Sequence, residues 1–556
     1  MIAQEFGSFD VVVVGAGHAG VEAAYASAKR GSKTALITLT RDRIGYMPCN
    51  PAIGGIGKGH IVFEVSALGG LMPKLCTTTY LQVRMLNTSK GPAVHGLRLQ
   101  IDKHAYSKAA RAALEQTDNL TIIEAMVHEI LVSDNRITGV LLKDGTIITA
   151  SAVVVTTGTF LNGLVHVGLH NYASGRENEA PAITLSDSLK KLGLKLGRLK
   201  TGTPPRLLRS SIDFSVLEAQ QSDKLNFLFE FYPHTTTTKL DCYITHTNER
   251  VHQIIKDHAH LSPILRKEIT GTGPRYCPSI EDKITRFPQK TSHQIFVEPE
   301  SLSTEWIYPN GLSTSLPLEV QKQYIQAIKG FENAVIVQPG YAIEYDMVLP
   351  DQLTASLETK SIQGLFLAGQ INGTTGYEEA AGQGIVAGIN ASLKAEGKPA
   401  FILDRNESYI GIMIDDLTTL SIDEPYRMFT SRAERRLLLR QDNAFLRLTE
   451  RAYKIGLIDQ QMYEDFIQEK SVIESTIKDL KASMNTTQLS HIFGENDQAC
   501  ASVEKATGKK LPDRVCQTIQ AEIKYEPYIE REAYEVERAA KHRQMIVPVD
   551  FEFMGI

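Results

Sequence analysis

The sequence predicts an α/β protein built around a Rossmann-like domain of the two-dinucleotide type. A strand, a glycine-rich loop and a helix follow one another between residues 10 and 31, and short strands fill 120–158. A second strand–loop–helix unit occupies 365–391. Between the two units lies a segment of mixed short elements, and beyond residue 400 the chain reads as mostly helical. We therefore expect an inserted α/β domain and a C-terminal helical domain.

The first unit has the spacing of a dinucleotide-binding loop. The valines from 11 to 14 are typical of a buried strand, and the loop that follows fits G-x-G-x-x-G. A helix is predicted from Val21 to Lys29 and a second strand from Ala35 to Leu39. Such a loop lets the backbone approach a pyrophosphate at a helix N-terminus. We place that contact on Gly15, Ala16, Gly17, His18, Ala19 and Gly20.

The acid that often binds the cofactor ribose has no clear counterpart. It is expected about 20 residues after the loop, where the second strand ends in Thr38, Leu39 and Thr40. Asp42 follows shortly afterwards, outside the expected alignment. A threonine hydroxyl could replace the carboxylate, so the adenosine contact is left open.

A second glycine-rich loop follows a cysteine, in the segment CNPAIGGIGKGH at residues 49–60. It is not a Walker A motif, because Lys58 precedes Gly59 rather than Ser or Thr, and position 52 is Ala. The loop is interpreted as an anion-binding loop that uses its backbone amides or as a flexible active-site loop, and the two interpretations are compatible. The candidate residues are Cys49 as a reactive thiol, with Asn50, Gly54, Gly55 and Gly57 as ligand contacts.

The remaining pattern divides the chain into three domains. Asp134-Asn135 and Asp144-Gly145 predict hairpin turns within 120–158, and residues 153–158 a buried strand ending at a ligand-facing glycine. Residues 365–369 predict another strand, followed by a loop and a helix from Glu378 to Ala391. We place the dinucleotide-binding domain at 1–205 and 335–398, the inserted domain at 206–334 and the helical domain at 399–556.

Composition excludes several classes of protein. With 556 residues, 42% hydrophobic and 22% charged, the chain resembles an ordinary globular protein. No apolar run approaches the ~18 residues of a membrane span, and no secretory signal is visible. The six cysteines form no C-x-x-C, so neither a metal site nor a disulfide framework is indicated, and a cytoplasmic location is expected. With a net charge of −5, any nucleic-acid binding must use local basic patches.

Two further segments carry candidate functional residues. Cys277 lies among Arg275, Lys283 and Arg286, whose positive charge favours a thiolate. The other four cysteines (Cys76, Cys242, Cys500 and Cys516) are interpreted as small buried hydrophobes.

An arginine-rich segment runs from residue 427 to 451, with seven arginines and three acids. Arg432, Arg436 and Arg440 recur at i+4, which predicts one face of a helix. Arg427 lies at the start of the segment. Two interpretations are equal: a face that binds phosphates, or an ion-paired interface with the acid-rich region 522–537.

Several segments together closely resemble one family, the FAD-dependent tRNA uridine 5-carboxymethylaminomethyl modification enzymes, also called MnmG or glucose-inhibited division protein A. The resemblance covers nearly the whole chain, and its diagnostic segments include CNPAIGGIGKGH, GRLKTGTPPR, GPRYCPSIEDK, HQIFVEPE, YPNGLSTSLP, FLAGQINGTTGYEEAAGQG and EPYRMFTSRAE.

The resemblance implies site residues as well as a fold. The family's FAD loop falls on residues 15–20, and its other flavin contacts fall on Val127 and Gln370. Its proposed nicotinamide site falls on the segment 273–287, with Gly273, Arg275, Glu281 and Phe287. Its two functional cysteines fall on Cys49 and Cys277, and Lys283 or Arg275 is placed to stabilise charge on the substrate.

The activity implied by the resemblance is modification of the wobble uridine of tRNA, position 34, at C5. Family members act with a GTPase of the MnmE type and use FAD, NADH and methylenetetrahydrofolate. They are homodimers without a membrane anchor. The alternatives are a folate- and FAD-dependent tRNA uridine methyltransferase, a generic NADH–flavin oxidoreductase and a non-enzymatic scaffold for the GTPase.

This chain departs from the family pattern at four places. Ala182 replaces a serine expected near the flavin phosphates, and His95 replaces an arginine. Pro527 replaces a glycine and predicts a helix start. The chain ends at Ile556, where the family normally continues into a small helical domain, so we expect that domain to be missing.

Overall fold

The computed structural model describes residues 5–275, 278–420, 422, 424–494 and 499–543. Most strands lie in the first two thirds of the chain, whereas the last third of the described chain is helical. The strands are β1 (Glu5–Val14), β2 (Thr34–Thr38), β3 (Ala52–Gly54), β4 (Tyr80–Leu86), β5 (Gly96–Ile101), β6 (Leu120–Glu124), β7 (Val127–Ser133), β8 (Arg136–Leu142), β9 (Ile147–Val155), β10 (Leu164–Val167), β11 (His170–Ala173), β12 (Leu196–Thr203), β13 (Arg206–Leu208), β14 (Glu218–Gln220), β15 (Cys242–His246), β16 (Gln294–Pro299), β17 (Trp306–Asn310), β18 (Ile336–Gln338), β19 (Tyr341–Val348) and β20 (Leu365–Leu367).

The helices connect and cover these strands. They are α1 (His18–Lys29), α2 (Lys58–Ala67), α3 (Met72–Thr79), α4 (Lys103–Glu115), α5 (Ile183–Lys191), α6 (Glu249–Asp257), α7 (Ile280–Arg286), α8 (Leu318–Ile325), α9 (Tyr377–Ala395), α10 (Tyr409–Thr419), α11 (Ala444–Lys454), α12 (Gln460–Ser483), α13 (Thr486–Phe493), α14 (Ala499–Thr507) and α15 (Asp513–Arg543). Of these, none among the described residues is long and apolar enough to cross a membrane.

The central sheet is of the Rossmann type. Strands β6, β2, β1, β9 and β20 run parallel in that order, and β7 and β8 join β9 as an antiparallel meander. The four valines of β1 are almost entirely buried, and α1 packs against α9 on the face of the sheet. The predicted βαβ unit, the meander and the returning strand are therefore confirmed, with α1 beginning three residues earlier, at His18.

Three antiparallel sheets complete the strand structure. Strands β3, β5 and β4 form a small sheet beside the second glycine-rich loop, and β11, β10, β19 and β12 form a second sheet. The third sheet has the order β14, β15, β16, β17, β13 and β18, and is built mostly from the segment between residues 206 and 338. These sheets bring residues far apart in sequence to the edge of the central sheet.

The buried apolar residues form separate clusters. The largest surrounds the central sheet and includes residues 227–231, although these lie within the segment predicted as an insertion. A second surrounds the six-stranded sheet and helices α6–α8. A third joins α12 to α15, where Phe493, Val503 and Ile519 are buried. The helical character of the C-terminal region is confirmed, but Pro527 lies inside α15 rather than at a helix start.

Candidate functional site

A cleft of about 460 Å³ opens where the carboxyl ends of β1 and β2 meet the N-terminus of α1. Its volume falls within the range of small-molecule and cofactor sites, about 300–1,000 Å³. Five segments distant in sequence contribute its walls. They are residues 14–19, 37–54, 125–127, 156–160 and 368–380, with Lys58, Arg98, Arg176 and Arg427 among the contributing charged residues.

The first glycine-rich loop has the geometry that a dinucleotide requires. Gly15 has φ of +97°, and a Cβ at Gly20 would lie 1.8 Å from the carbonyl oxygen of Gly15. A Cβ at Gly17 would meet no described atom within 4 Å. Gly15 and Gly20 are thus required by packing, whereas Gly17 borders the open space of the cleft. This difference matches the roles of the three glycines in dinucleotide-binding loops.

The end of β2 carries hydroxyls and an arginine where an acid is often found. Thr38, Thr40 and Arg43 border the cleft. Asp42 instead lies 2.7 Å from Arg111, on the solvent side, with 83% of its side chain exposed. The structure therefore places a hydroxyl, not the carboxylate of Asp42, at the position expected to contact a ribose.

Several buried polar atoms on the cleft wall have no hydrogen-bond partner among the described residues. They are Asn50 Oδ1, Thr157 Oγ1, Thr375 Oγ1 and both ring nitrogens of His18. Burial lowers the pKa of His18 to about 4, so its ring is neutral at physiological pH. Since buried polar groups are normally hydrogen-bonded, these atoms indicate a polar ligand in the cleft. The residues present therefore fit a bound dinucleotide.

The second glycine-rich loop does not form the anion-binding arrangement considered from the sequence. The amide of Gly54 donates to Glu378 Oε1 at 2.7 Å, and that of Gly55 donates to the Leu97 carbonyl at 2.7 Å. Gly54 borders the cleft, whereas Gly57 approaches the backbone of Phe429, where a Cβ would lie 3.0 Å from its Cα. Two of the three amides are therefore already used, and the loop connects β3 to α2 by close packing.

A buried ion-pair cluster lies beside this loop, at the start of α9. Lys58 Nζ lies 2.6 Å from Glu378 Oε2 and 3.5 Å from Glu379 Oε2. Burial opposes the charged form of Glu378, but Lys58 more than offsets it, and the pKa of Glu378 is lowered. Lys58, Glu378 and Gln370 border the cleft. The cluster therefore places fixed charges at the end of the cleft away from β2.

Cys49 lies on the cleft wall, and its thiol contacts a tyrosine of β17, in the six-stranded sheet. Its Sγ is 2.9 Å from the hydroxyl of Tyr308 and 3.7 Å from the carbonyl of Gly202. Its amide donates to the hydroxyl of Tyr377 at 2.9 Å. The thiol is half-buried, and it faces the same space as the first glycine-rich loop. This position allows a nucleophile to act next to a bound cofactor.

The second predicted cysteine, Cys277, lies outside the described residues. Pro274 borders the cleft, and Arg275 is exposed next to it. Gly273 lies against Lys200, where a Cβ would be 2.4 Å from Cε. The segment that leads to Cys277 thus reaches the same cleft as Cys49.

The other residues predicted for the nicotinamide site do not converge on the cleft. Glu281 is buried in α7 and accepts hydrogen bonds from Ser315 N and Oγ, both at 2.9 Å. Lys283 Nζ donates to the carbonyl of Gly311 at 3.0 Å, and the side chain of Phe287 is exposed. Glu281 therefore ties α7 to the segment that follows β17, and a contact between it and a ligand in the cleft is not supported.

Val127 and Gln370, expected at the flavin, both border the cleft, as does Ala182. Val127 begins β7 and is buried, and Gln370 begins the turn that follows β20. At Ala182 the side chain offers no hydroxyl.

His95 is buried, whereas Arg98 borders the cleft and pairs with Glu298 at 2.7 Å.

The arginine-rich segment is not the helix that the sequence predicts. Residues 433–443 form turns rather than a helix. Arg440 is fully buried, with Asp442 at 3.1 Å and Glu522 of α15 at 2.6 Å. For Arg440 the ion-pair alternative is therefore correct, and no tRNA contact is available to it. Arg427 borders the cleft, Arg432 lies 3.6 Å from Asp416, and Arg436 is exposed.

Four residues near Cys49 were not singled out from the sequence. Arg206, Tyr308, Glu300 and Lys103 form a buried cluster directly behind Cys49. Three of them lie in segments already quoted for the family resemblance, namely GRLKTGTPPR, HQIFVEPE and YPNGLSTSLP. The available signal was Arg206, which stands between two prolines and an apolar strand. Only the fold shows that it contacts Glu300 and Tyr308.

Comparison with known proteins agrees with this geometry. A family model described as glucose inhibited division protein A matches residues 10–399. The tRNA uridine 5-carboxymethylaminomethyl modification enzyme MnmG of Thermodesulfovibrio yellowstonii is 49% identical over 570 residues, covering 98% of this chain and 91% of that protein.

Two solved structures of Aquifex aeolicus GidA show the same fold. The form I crystal gives a TM-score of 0.91 at 46% identity, covering 99% of this chain and 93% of that chain. The form II crystal gives a TM-score of 0.89 at 44% identity, covering 99% and 92%. By the extent of these matches, the chain belongs to the glucose inhibited division protein A family.

Proposed function

We propose that this protein modifies C5 of uridine in tRNA, forming the (carboxymethyl)aminomethyl group at the wobble position with FAD bound in the cleft. The observation that carries the proposal is Cys49, a half-buried thiol on the wall of a dinucleotide cleft. The 49% identity to an enzyme named for this modification, over 98% of the chain, supports the same activity.

The binding of FAD is supported by three features of the cleft. Gly17 leaves room for the backbone to approach a pyrophosphate at the N-terminus of α1. Thr38 and Thr40 supply hydroxyls towards the ribose end, and Asn50 and Thr157 carry buried polar atoms along the wall. When bound, FAD supplies the redox chemistry that the side chains of this protein cannot supply.

Cys49 is proposed as a nucleophile towards the uracil ring. C5 of uracil is a weak nucleophile, and addition of the thiolate to C6 forms a C–S bond while the C5–C6 electron pair moves towards C5 and O4. C5 can then attack an electrophilic one-carbon unit, after which loss of the C5 proton expels the thiolate and restores the double bond. Arg275, exposed beside Pro274 at the cleft, is the remaining candidate to stabilise charge on O4.

The co-reactants and partners belong to the same proposal. We infer that NADH supplies the reducing equivalents, methylenetetrahydrofolate the carbon unit, and a GTPase of the MnmE type the partner, with the chain acting as a homodimer in the cytoplasm. Cys277 is proposed to complete the uridine site. The division into 1–205 with 335–398, 206–334 and 399–556 is kept as the proposed domain organisation.

Arg427 and Arg436 are proposed as tRNA contacts. Arg427 borders the cleft, and its Nε donates to the Thr375 carbonyl at 3.4 Å. Arg436 is exposed in the turn that follows. Together they could guide a phosphate backbone towards Cys49, since arginine binds phosphate through a planar fork of donors.

A reconstitution tests the proposal. The purified protein is combined with the GTPase, FAD, NADH, methylenetetrahydrofolate, glycine and unmodified tRNA, and the nucleosides are identified by mass spectrometry. Cys49→Ser should abolish the product. Cys500→Ser, a matched change at another half-buried thiol in α14, should retain it. Full activity of Cys49→Ser would remove this thiol from the reaction.

A further inference from the structure

The thiol of Cys49 and the hydroxyl of Tyr308 form a contact that has no assigned role in the proposed reaction. The two atoms are 2.9 Å apart, although the residues are separated by 259 positions in sequence. Tyr308 lies in β17 and is 2% exposed, so it stands behind Cys49 as seen from the cleft. It can therefore act on the thiol without contacting the substrate.

The ordinary acidities of the two groups decide which of them donates. A tyrosine hydroxyl ionises near pH 10 and a cysteine thiol near pH 8.5. A thiol is thus ordinarily the stronger acid of the two, so the phenol is the group suited to donate to a thiolate. A hydrogen bond from a neutral hydroxyl to a sulfur anion is charge-assisted and stronger than one to a neutral thiol. The contact consequently favours the thiolate form of Cys49.

A buried arginine fixes the ring of Tyr308 and adds positive charge. The guanidinium carbon of Arg206 lies 4.9 Å from the centre of the ring. Its nitrogens donate to the carbonyl of Pro48 at 2.5 Å, to Thr203 Oγ1 at 2.7 Å and to Glu300 Oε1 at 2.8 Å. The arginine thus touches the residue directly before Cys49 as well as the tyrosine that contacts its sulfur.

The charges around this arginine are themselves paired. Glu300 also accepts from Lys103, so two cations share one buried carboxylate. Burial opposes the charged form of Arg206, but Glu300, Tyr308 and Cys49 more than offset it, and its pKa is raised. Glu177 and Tyr341 also interact electrostatically with Arg206.

Tyr377 of α9 and His18 of α1 line the same cleft as Cys49. Tyr377 accepts from the Cys49 amide, and the ring of Tyr377 lies 4.4 Å from that of His18. His18 is neutral at physiological pH because burial lowers its pKa. Neither group brings a negative charge to the thiol. Among the described contacts of the Tyr308 ring, the charged side chain is that of Arg206.

We propose that Tyr308 is a positioning residue that donates a hydrogen bond to the Cys49 thiolate, and that Arg206, held by Glu300, orients the tyrosine and stabilises the sulfur anion. The proton that Cys49 loses passes to solvent, and Tyr308 keeps its own throughout. This inference rests on the proposed function for its role in uridine modification, but the hydrogen bond itself can be tested without tRNA.

The experiment measures alkylation of Cys49 by iodoacetamide as a function of pH in the full-length holoenzyme, with no tRNA present. Mass spectrometry of the peptide that contains Cys49 separates its reaction from those of the other cysteines. Tyr308→Phe keeps the ring over Arg206 and removes only the hydroxyl. Tyr243→Phe, in β15 of the same sheet, is the matched control because its ring packs on Phe214, away from the cleft.

Loss of a hydrogen bond to a charged group changes an equilibrium roughly tenfold or more. The alkylation profile of Tyr308→Phe should therefore shift to higher pH by about one unit. The Tyr243→Phe profile should match that of the unchanged protein. A Tyr308→Phe profile that superimposes on the unchanged protein, or an equal shift in Tyr243→Phe, would overturn the proposal.

A second measurement separates this inference from the proposed function. In the reconstituted reaction, the kcat of Tyr308→Phe should be lower than that of the unchanged protein at pH 7. The difference should be smaller at pH 9, where more of the thiol is ionised. If the unchanged protein modifies no tRNA but the alkylation profile still shifts, the proposed function fails and the hydrogen bond stands. If the kcat loss is the same at both pH values, the assigned role of Tyr308 is wrong.

Discussion

Replacing Gly20 with alanine should destabilise the protein itself, whereas replacing Gly17 should weaken cofactor binding alone. At Gly20 the new Cβ would lie 1.8 Å from Gly15 O and 2.8 Å from Thr156 Oγ1. Neither neighbour can move away easily, because Gly15 N donates to Ile37 O at 2.8 Å and Thr156 Oγ1 donates to Gly15 O at 2.9 Å. The clash therefore has to be relieved by displacing α1 from the sheet.

The magnitude follows from two opposing effects. Inserting a methyl group into a close-packed site costs about 1–3 kcal/mol, and more when only backbone surrounds it. Alanine in a helix is favoured over glycine by about 1 kcal/mol. Because the contact at Gly20 is with backbone, we expect a net loss of about 2 kcal/mol. At Gly17 no described atom lies within 4 Å of the new Cβ, so the stability of the apoprotein should stay the same.

The assay compares thermal unfolding of the apoprotein with FAD titration for both variants. Gly20→Ala should lower the unfolding midpoint without cofactor present. Gly17→Ala should unfold like the unchanged protein but bind FAD at least tenfold more weakly, a loss of about 1.4 kcal/mol. Unchanged FAD affinity in Gly17→Ala would refute the placement of the pyrophosphate, and unchanged stability in Gly20→Ala would refute the packing argument.

Three further predictions concern charged residues. Burial raises the pKa of Glu22 from 4.5 to about 7, so its contribution to stability is present below pH 4.5 and lost as the pH rises through 7. Glu22→Gln should therefore raise the free energy of unfolding at pH 8 by up to roughly 3 kcal/mol, seen as a higher thermal midpoint, with little effect at pH 5. Arg440→Met should cost about 3–5 kcal/mol in unfolding free energy, because it leaves Asp442 and Glu522 unpaired, while tRNA affinity of the folded fraction stays the same. Arg436→Glu should weaken tRNA binding and reduce its salt dependence, as measured by titration at several salt concentrations, and an unchanged salt slope would exclude a phosphate contact.

Local patterns in the sequence were enough to predict the central fold. The valines of β1, the glycine spacing and the apolar run of β9 act over a few residues, and all are confirmed. The turn at Asp134 and Asn135 also formed, with both residues at positive φ. Such features depend on backbone sterics and alternation of buried side chains, which a short segment already determines.

Contacts between distant segments could not be predicted in the same way. The amide of Gly54 donates to Glu378, 324 positions away, a contact that glycine spacing alone could not reveal when an anion-binding loop was considered. Arg440 meets Glu522 of α15, 82 positions away, and that pairing buries a side chain which the i+4 pattern placed on a surface. Tyr308 reaches Cys49 only because β17 and the segment after β2 meet at the cleft.

The central claim is that Cys49, acting in this cleft, modifies uridine in tRNA. The most direct measurement is mass-spectrometric nucleoside analysis of tRNA from cells that lack this protein, complemented with the unchanged chain or with Cys49→Ser. We predict loss of the wobble carboxymethylaminomethyl group, restoration by the unchanged chain and no restoration by Cys49→Ser, with other uridine modifications intact. A nucleoside profile that is unaffected by removal of the protein would contradict the account.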